Sequence, residues 1–190
     1  MQMTTPYNLS GSCRSKGFGI VLLLLFVSIC YSQSASEASI KNSFSSVALQ
    51  AYQQRSVSRI TDFYQYLEIL ASKQTSDELA SQAEQNVIGL FASELTPVTD
   101  FTSDEAKSIS LLELLRKIRN SGITFEVNES FETPQTFDNY WLVHYGVGIK
   151  GSDKFRVFKI HHRIYLQKEL KLFGAVQKNV WSLRLGEVSK

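Results

Sequence analysis

The residue of this chain whose type and surroundings best suit acid–base chemistry is His162. Apolar and polar side chains alternate along the segment Phe155–Leu166, and His162 falls on the apolar side of that alternation. Burial disfavours the charged imidazolium and lowers the pKa of a histidine, so the neutral ring would act as a base near neutral pH. The same pattern is typical of a core histidine held by one hydrogen bond, or of one turned outward by a bulge, and the sequence leaves these alternatives open.

Two further histidines, His144 and His161, are predicted to face each other across neighbouring strands. Such a pair binds a metal when a third ligand is near. No HExxH spacing accompanies them, so we interpret them as surface residues and predict no metal site. The sequence also has no glycine-rich phosphate loop, serine–histidine–aspartate order or paired-carboxylate motif, and we predict no cofactor. Ser110 and Glu113 fit a helix start better than catalysis.

Aromatic and aliphatic residues around His162 form a candidate ligand pocket. Aromatic side chains supply large apolar area, and Tyr and Trp add a polar atom. The predicted lining consists of Tyr64, Trp141, Tyr145, Phe158, Ile160, His162 and Ile164. The competing interpretation, which the aromatic content of the chain favours, is that these side chains fill the hydrophobic core.

Three helices and one short strand are predicted in the first two thirds of the chain. Apolar residues recur at three- and four-residue steps from Phe44 to Ala71, which is typical of a helix with one face against a core. Thr75 and Glu78 then form a capping-box pattern, so a second helix is expected to fold back on the first. The segment Leu95–Phe101 favours a short strand at an edge, and a third helix is predicted from about Asp104 to Asn120.

Strands are predicted in the remainder, where the period changes from 3.6 to 2. The alternating segments are Ile123–Val127, Tyr140–Ile149, Phe155–Leu166 and Val176–Leu185. This order of elements predicts an α+β domain. We expect a helical hairpin and a third helix packed in a curved, cone-like antiparallel sheet of four long strands and one short strand.

The register of the central hairpin can be predicted from the turn Gly151–Lys154. Symmetric closure pairs Val147 with Phe158, Tyr145 with Ile160 and Trp141 with Ile164, so all of these apolar residues share one face. A slip of one residue would mix apolar and polar faces. The symmetric register places His162 on the inner face, and it places the His144–His161 pair on the outer face with Gly146 and Gly148.

The N-terminus predicts export. Residues 1–16 contain two bases and no acid, and the apolar run Gly17–Val27 follows before small and polar residues take over from Ser32. This is the order of a secretory signal, and the run is shorter than the roughly 18–20 apolar residues of a membrane span. We predict a signal peptide at residues 1–33 and a location in the periplasm or outside the cell. An uncleaved membrane anchor and a buried core segment are the alternatives.

A flexible Ser/Ala-rich tether is predicted at residues 34–43, with an extension of the next helix as the alternative, ahead of a domain at residues 44–190. All 18 acids and 18 of the 20 bases lie beyond residue 33, so the mature chain has a net charge of zero. No long-range attraction to nucleic acid or anionic lipid is therefore predicted, and membrane contact is expected only through an uncleaved N-terminal segment. Both cysteines, Cys13 and Cys30, belong to the leader, which leaves the domain without a disulfide.

Three segments resemble a branch of small exported Bacteroidota proteins within the nuclear transport factor 2-like superfamily. They are Asn86–Ala92, Ile109–Ile118 and Val180–Val188, and the resemblance covers roughly Phe44–Val188. It implies a cone-shaped fold whose long antiparallel sheet curls around helices. The branch has no assigned activity. Enzymes elsewhere in the superfamily use an Asp/Tyr or Asp/His set that has no residue-by-residue match here, so the resemblance implies no catalytic residue.

These observations lead us to expect a non-enzymatic exported domain that binds a small apolar ligand or a protein partner, with a homodimer through the outer face of the sheet as one such assembly. The alternative is a pocket enzyme of hydrolase, isomerase or dehydratase type that uses His162 as a general base. A purely structural scaffold is the third hypothesis.

Overall fold

The computed structural model describes residues 39–103, 105, 107–128, 131–132, 134–151 and 154–190. The predicted signal segment, the first part of the predicted tether and Ser152–Asp153 of the predicted turn lie outside these residues. The helices are α1 (Ile40–Ser43), α2 (Ser46–Ala71), α3 (Asp77–Leu90) and α4 (Leu111–Ile118). The strands are β1 (Pro97–Thr99), β2 (Ser108–Ser110), β3 (Thr124–Val127), β4 (Gln135–Thr136), β5 (Tyr140–Lys150), β6 (Phe155–Phe173) and β7 (Val176–Ser189). This order confirms the predicted α+β class.

The two helices of the predicted hairpin begin at serine caps and pack against each other. The Ser45 hydroxyl accepts a hydrogen bond from the backbone N–H of Ala48, and the Ser76 hydroxyl accepts one from the N–H of Leu79. Such caps satisfy N–H groups that the first turn of a helix leaves unpaired. The cap of α3 is therefore Ser76, one residue beyond the predicted Thr75. The core-facing stripe of α2 comprises Ile60, Phe63, Tyr64, Leu67, Leu70 and Ala71.

Helix α4 is shorter than predicted. The expected start near Asp104 is wrong, because Ser108–Ser110 form strand β2 and pair with β1. The helix begins where the Ser110 hydroxyl accepts a hydrogen bond from the N–H of Glu113 at 3.2 Å. Beyond the helix, Gly122 has a positive φ of 73°, and its N–H donates to the carbonyl of Ala71 at the end of α2. The chain then enters β3.

The strands form one curved, unclosed sheet in the order β2-β1-β7-β6-β5-β3, and β4 pairs with β5. Its long pairings are antiparallel, as predicted. Three features differ from the expectation. Strands β2 and β4 are additional, and β1 lies parallel to β7 through the pair Val98–Val188. Strand β6 also extends to Phe173, past the predicted end at Leu166.

The predicted register of the central hairpin is confirmed. Strand β5 pairs with β6 as Trp141–Ile164, Tyr145–Ile160 and Val147–Phe158, with Val143 opposite His162 and His144 opposite His161. The first three pairs, together with Val143 and His162, are buried against the helices. Because side chains alternate across a strand, His144 and His161 lie on the outer face.

The hydrophobic core lies between the inner face of the sheet and the helices. Its largest side chain, Trp141, donates a hydrogen bond from Nε1 to the Ser56 hydroxyl at 3.2 Å. Ile40 belongs to the same core, and its N–H donates to the carbonyl of Asp138 at 2.6 Å. The folded part therefore begins ahead of Phe44, and the last residues assigned to the tether form α1. Among the residues described, no helix is long and apolar enough to cross a membrane.

Strands β6 and β7 continue as a two-stranded ribbon beyond the rest of the sheet. The last pair between β5 and β6 is Tyr140–Tyr165, whereas β6 and β7 stay paired to Phe173–Val176. We call residues 167–182 the distal hairpin. Its turn is Gly174-Ala175, with a positive φ of 63° at Gly174. A glycine at the first of two turn residues is typical of the type II′ turns that suit twisted hairpins.

Candidate functional site

The seven residues of the predicted pocket come together in the structure. Six of them lie on the inner face of β5 and β6, and Tyr64 of α2 packs against that face with its ring centroid 6.0 Å from that of Tyr145. Each of the seven is between 0 and 4% exposed. The grouping follows from the confirmed register, because a period of two places alternate residues on the same side.

Hydrogen bonds join three of these residues into a chain. The hydroxyls of Tyr64 and Tyr145 lie 3.2 Å apart, and the hydroxyl of Tyr145 lies 3.0 Å from Nδ1 of His162. Phe63 and Phe91 flank the imidazole, with ring centroids 6.2 Å and 5.9 Å from it. Nε2 of His162 is buried and has no hydrogen-bond partner within the described part of the chain. A polar chain thus crosses an otherwise aromatic core.

Burial keeps all three groups of this chain uncharged. It lowers the pKa of His162 to about 3, because the imidazolium would lose its hydration. Burial likewise raises the pKa of the Tyr64 and Tyr145 hydroxyls above their usual value. At neutral pH the ring is therefore a neutral imidazole at the end of a chain of two neutral phenols. The lowered pKa of His162 agrees with the prediction made from the sequence for a buried histidine.

The geometry separates these seven residues from solvent. A general base must come within hydrogen-bond reach of the proton that it removes. His162 is fully buried, so a substrate would reach its ring only after the helices moved away from the sheet. Buried polar atoms that bond one another avoid much of the cost of burial. That the seven residues line a ligand cavity stays a prediction.

The outer face carries the two remaining histidines. The rings of His144 and His161 meet edge to face, with centroids 4.5 Å apart. Within the described ranges, no three His, Cys, Asp or Glu side chains converge as a set that could hold a metal ion.

A groove on the outer face, which we call the outer groove, lies beside this histidine pair along β5 and β6. It has a volume of about 300 Å³ and is lined by Glu126, Val127, Asn128, Gly146, Gly148, Phe155 and Val157. Gly148 makes room for the ring of Phe155, since a Cβ atom there would lie 2.7 Å from that ring. Phe155 is 56% exposed and Val157 is 66% exposed. The floor is thus backbone. The border formed by β6 is apolar, whereas Glu126 and Asn128 make the opposite border polar.

A second groove, of about 390 Å³, follows the edge of β7. It is lined by Ala92, Ser93, Leu95, Thr96, Pro97, Tyr165, Gln167, Gly186 and Glu187. The hydroxyl of Tyr165 donates to the carboxylate of Glu187 at 3.0 Å. A Cβ atom on Gly186 would lie 2.5 Å from the Tyr165 ring, so this glycine allows the ring to lie flat on β7.

Sequence reasoning missed both grooves, because each is built from segments far apart in the chain. One signal was available for the outer groove, since Gly146 and Gly148 share a strand face. The position of Phe155 over Gly148 requires the register as well.

Comparisons of the chain with protein-family models, with curated proteins and with solved structures find no match. The resemblance to the nuclear transport factor 2-like superfamily therefore stays a prediction from the sequence, and the site is interpreted from its geometry alone.

Proposed function

We propose that this protein is an exported, non-enzymatic binding domain that takes a protein partner on its outer groove, and that the partner is a second copy of the chain. The observation that carries the proposal is the pair of exposed side chains Phe155 and Val157 beside the glycine floor. Scattered apolar residues on a surface are ordinary, but two on one strand face at the border of a groove form a patch that a partner can cover.

The charges around the outer groove suit a two-fold pairing. In a symmetric dimer the same patch meets itself, so it must complement itself. Glu126 lies opposite Gly148 on one side, and Lys159 lies opposite Gly146 on the other. Both side chains are exposed. Glu126 of one copy can therefore meet Lys159 of the second while the apolar border is buried between them.

The mass of the exported protein in solution tests this proposal. We expect a dimer by light scattering coupled to size exclusion, and we expect Val157→Arg to shift it to a monomer because a charge would then be buried at the centre of the interface. Val176→Arg, at the exposed distal hairpin, is the matched control and should remain a dimer. A monomeric wild-type protein, or equal effects of the two variants, would refute the proposal.

A small apolar ligand in the outer groove is the second candidate. The volume of about 300 Å³ is at the lower end of the roughly 300–1,000 Å³ of ligand sites. Native mass spectrometry of protein purified from the cell envelope should then show a bound small molecule, which Val157→Arg should release. A mass equal to that of the bare chain in both proteins would exclude this candidate.

A further inference from the structure

The distal hairpin ends in exposed apolar side chains on both of its faces. Leu170 and Leu172 point to one face, and Phe173 and Val176 form a cross-strand pair on the other. Each of these four is more than half exposed, and only four other large apolar residues in the described part of the chain are also more than half exposed. A cluster of apolar side chains at the end of a ribbon differs from a flat apolar patch. A partner with a planar surface could cover only one face of the ribbon.

The charges behind this tip are almost all positive. Lys171 and Lys178 lie directly opposite each other, and like charges in that position destabilise a strand pair. The only acid of the distal hairpin, Glu169, accepts a hydrogen bond from Nε of Arg184 at 2.6 Å, and its second carboxylate oxygen lies 3.8 Å from Nζ of Lys171. Lys168 lies over the ring of Trp181 at 5.0 Å. Because Arg184 and Lys171 share the one carboxylate of Glu169, it offsets only part of the repulsion between the facing lysines, and an external anion would offset more.

We propose that the distal hairpin inserts its tip into an anionic lipid surface. Leu172, Phe173 and Val176 enter the boundary between headgroups and acyl chains, and lipid phosphates contact Lys171 and Lys178. Lipid surrounds a tip on all sides, which suits apolar side chains on both faces. At about 3.3 Å per residue, Lys171 lies roughly 7 Å behind Phe173, which matches a burial depth of about 5–10 Å for interfacial segments.

Two physical limits shape this contact. Within the described residues the ribbon has unpaired backbone on both edges, which disfavours deeper entry into hydrocarbon. The zero net charge of the mature chain removes a long-range attraction, but it leaves the local charge of the tip in place. Insertion is therefore shallow and sensitive to salt. Lipid insertion by the distal hairpin is a separate proposal from dimerisation through the outer groove, because the two surfaces use different residues.

A fluorescent label on the tip tests insertion. It reports the surroundings of the tip itself, so the test also holds if the apolar N-terminal segment is retained and binds the vesicles. In the full chain carrying Cys13→Ser and Cys30→Ser, Ala175→Cys provides a single thiol for an environment-sensitive dye. Addition of phosphatidylcholine vesicles with phosphatidylglycerol should shift the emission to the blue, and pure phosphatidylcholine should give a much smaller shift. The same dye on Gln74→Cys should not respond, because the α2–α3 loop contacts Gly122 at the opposite end of the sheet.

Paired variants separate the contribution of the lysines to vesicle binding from that of the apolar side chains. Lys171→Ser with Lys178→Ser should weaken binding to the anionic vesicles about 25-fold, at about fivefold for each lysine near the surface. Lys73→Ser with Arg116→Ser removes the same charge at exposed positions outside both the outer groove and the distal hairpin, and it should leave the shift in place. Leu172→Ser with Phe173→Ser should abolish the shift. Circular dichroism confirms that each variant is folded.

Three results would overturn the proposal. The first is an unchanged emission of the tip label on anionic vesicles. The second is an equal response with neutral vesicles. The third is a blue shift that grows with protein concentration in the absence of lipid, which would assign the tip to a second copy. Monomeric protein that still inserts would reject the outer-groove dimer alone.

Discussion

At the scale of single residues, His162 shows how a residue suited to chemistry serves a core. Its ring lies between Phe63 and Phe91, and its Nδ1 is joined to the Tyr145 hydroxyl. The titratable group that faces the His162 ring is Tyr145, whose hydroxyl is hydrogen-bonded in turn to that of Tyr64. Burial keeps both hydroxyls neutral. The register that brings His162 inside also removes it from solvent.

We expect the stability of the domain to fall between neutral pH and pH 5 because of His162. The unfolded chain takes up a proton below the ordinary histidine pKa of 6.5, whereas burial lowers the pKa in the folded state to about 3. The stabilisation by the neutral ring is thus complete above pH 6.5 and decreases as the pH falls. Linkage gives a loss of about 2 kcal/mol at pH 5, measured as a change in the free energy of unfolding in urea.

The control for this pH dependence is His162→Gln, which cannot take up a proton. Its free energy of unfolding should depend less on pH by about the same 2 kcal/mol over this range. If His162→Gln and wild type lose equal stability on acidification, His162 is not the group responsible.

At the scale of elements, α4 shows how pairing and capping compete with periodicity. Apolar spacing predicted a helix from about Asp104, but the short segment Ser108–Ser110 forms a strand that pairs with β1. The backbone of that segment is extended, so Ser110 becomes the cap and the helix starts at Leu111. Local spacing cannot indicate which non-local partner a short segment will find.

The cap of α4 gives a quantitative test. Ser110→Ala removes the acceptor for the N–H of Glu113, and we expect a loss of about 1 kcal/mol in the free energy of unfolding. Ser108→Ala, at an exposed position two residues earlier in β2, should change stability by less than about half of that. Equal losses would indicate that the serine hydroxyl at position 110 does not cap the helix.

At the scale of the whole molecule, β6 links the two proposed binding surfaces. The outer groove is bordered by Phe155 and Val157 at one end of the strand, and the apolar tip is at Phe173 at the other. At about 3.3 Å per residue these ends are roughly 50–60 Å apart along the chain. Substitutions at one end should therefore leave the other intact, and a dimer could present two lipid-binding tips.

The leader gives the test of export. We expect the full-length chain, produced in a bacterium with a periplasm, to be recovered there with its first residue close to position 33 or 35. Leu23→Arg with Leu24→Arg should retain the protein in the cytosol at full length, because a charged segment loses the apolar core of the signal. N-terminal sequencing of each fraction measures both outcomes. A wild-type chain that stays in the cytosol uncut would refute export.

The sequence by itself determined the fold class, the register of the central hairpin and the inward position of His162. Strict alternation along β5 and β6 carried these predictions, because a slip of one residue would move Trp141 and Ile164 into water. Helix capping also depends on neighbouring residues, so the sequence predicted a helix start close to the serine cap of α3. It did not distinguish Thr75 from Ser76 as the capping residue.

Only the tertiary structure decided which surfaces remain exposed. The seven residues of the candidate pocket were predicted as a group, yet whether such residues line a space or fill it depends on how α2 and α3 lie over the sheet. The outer groove forms because the ring of Phe155 lies over Gly148. The distal hairpin forms because β6 and β7 remain paired beyond the end of β5. Exposure results from contacts between segments far apart in the chain, and local periodicity carries no information about where those contacts stop.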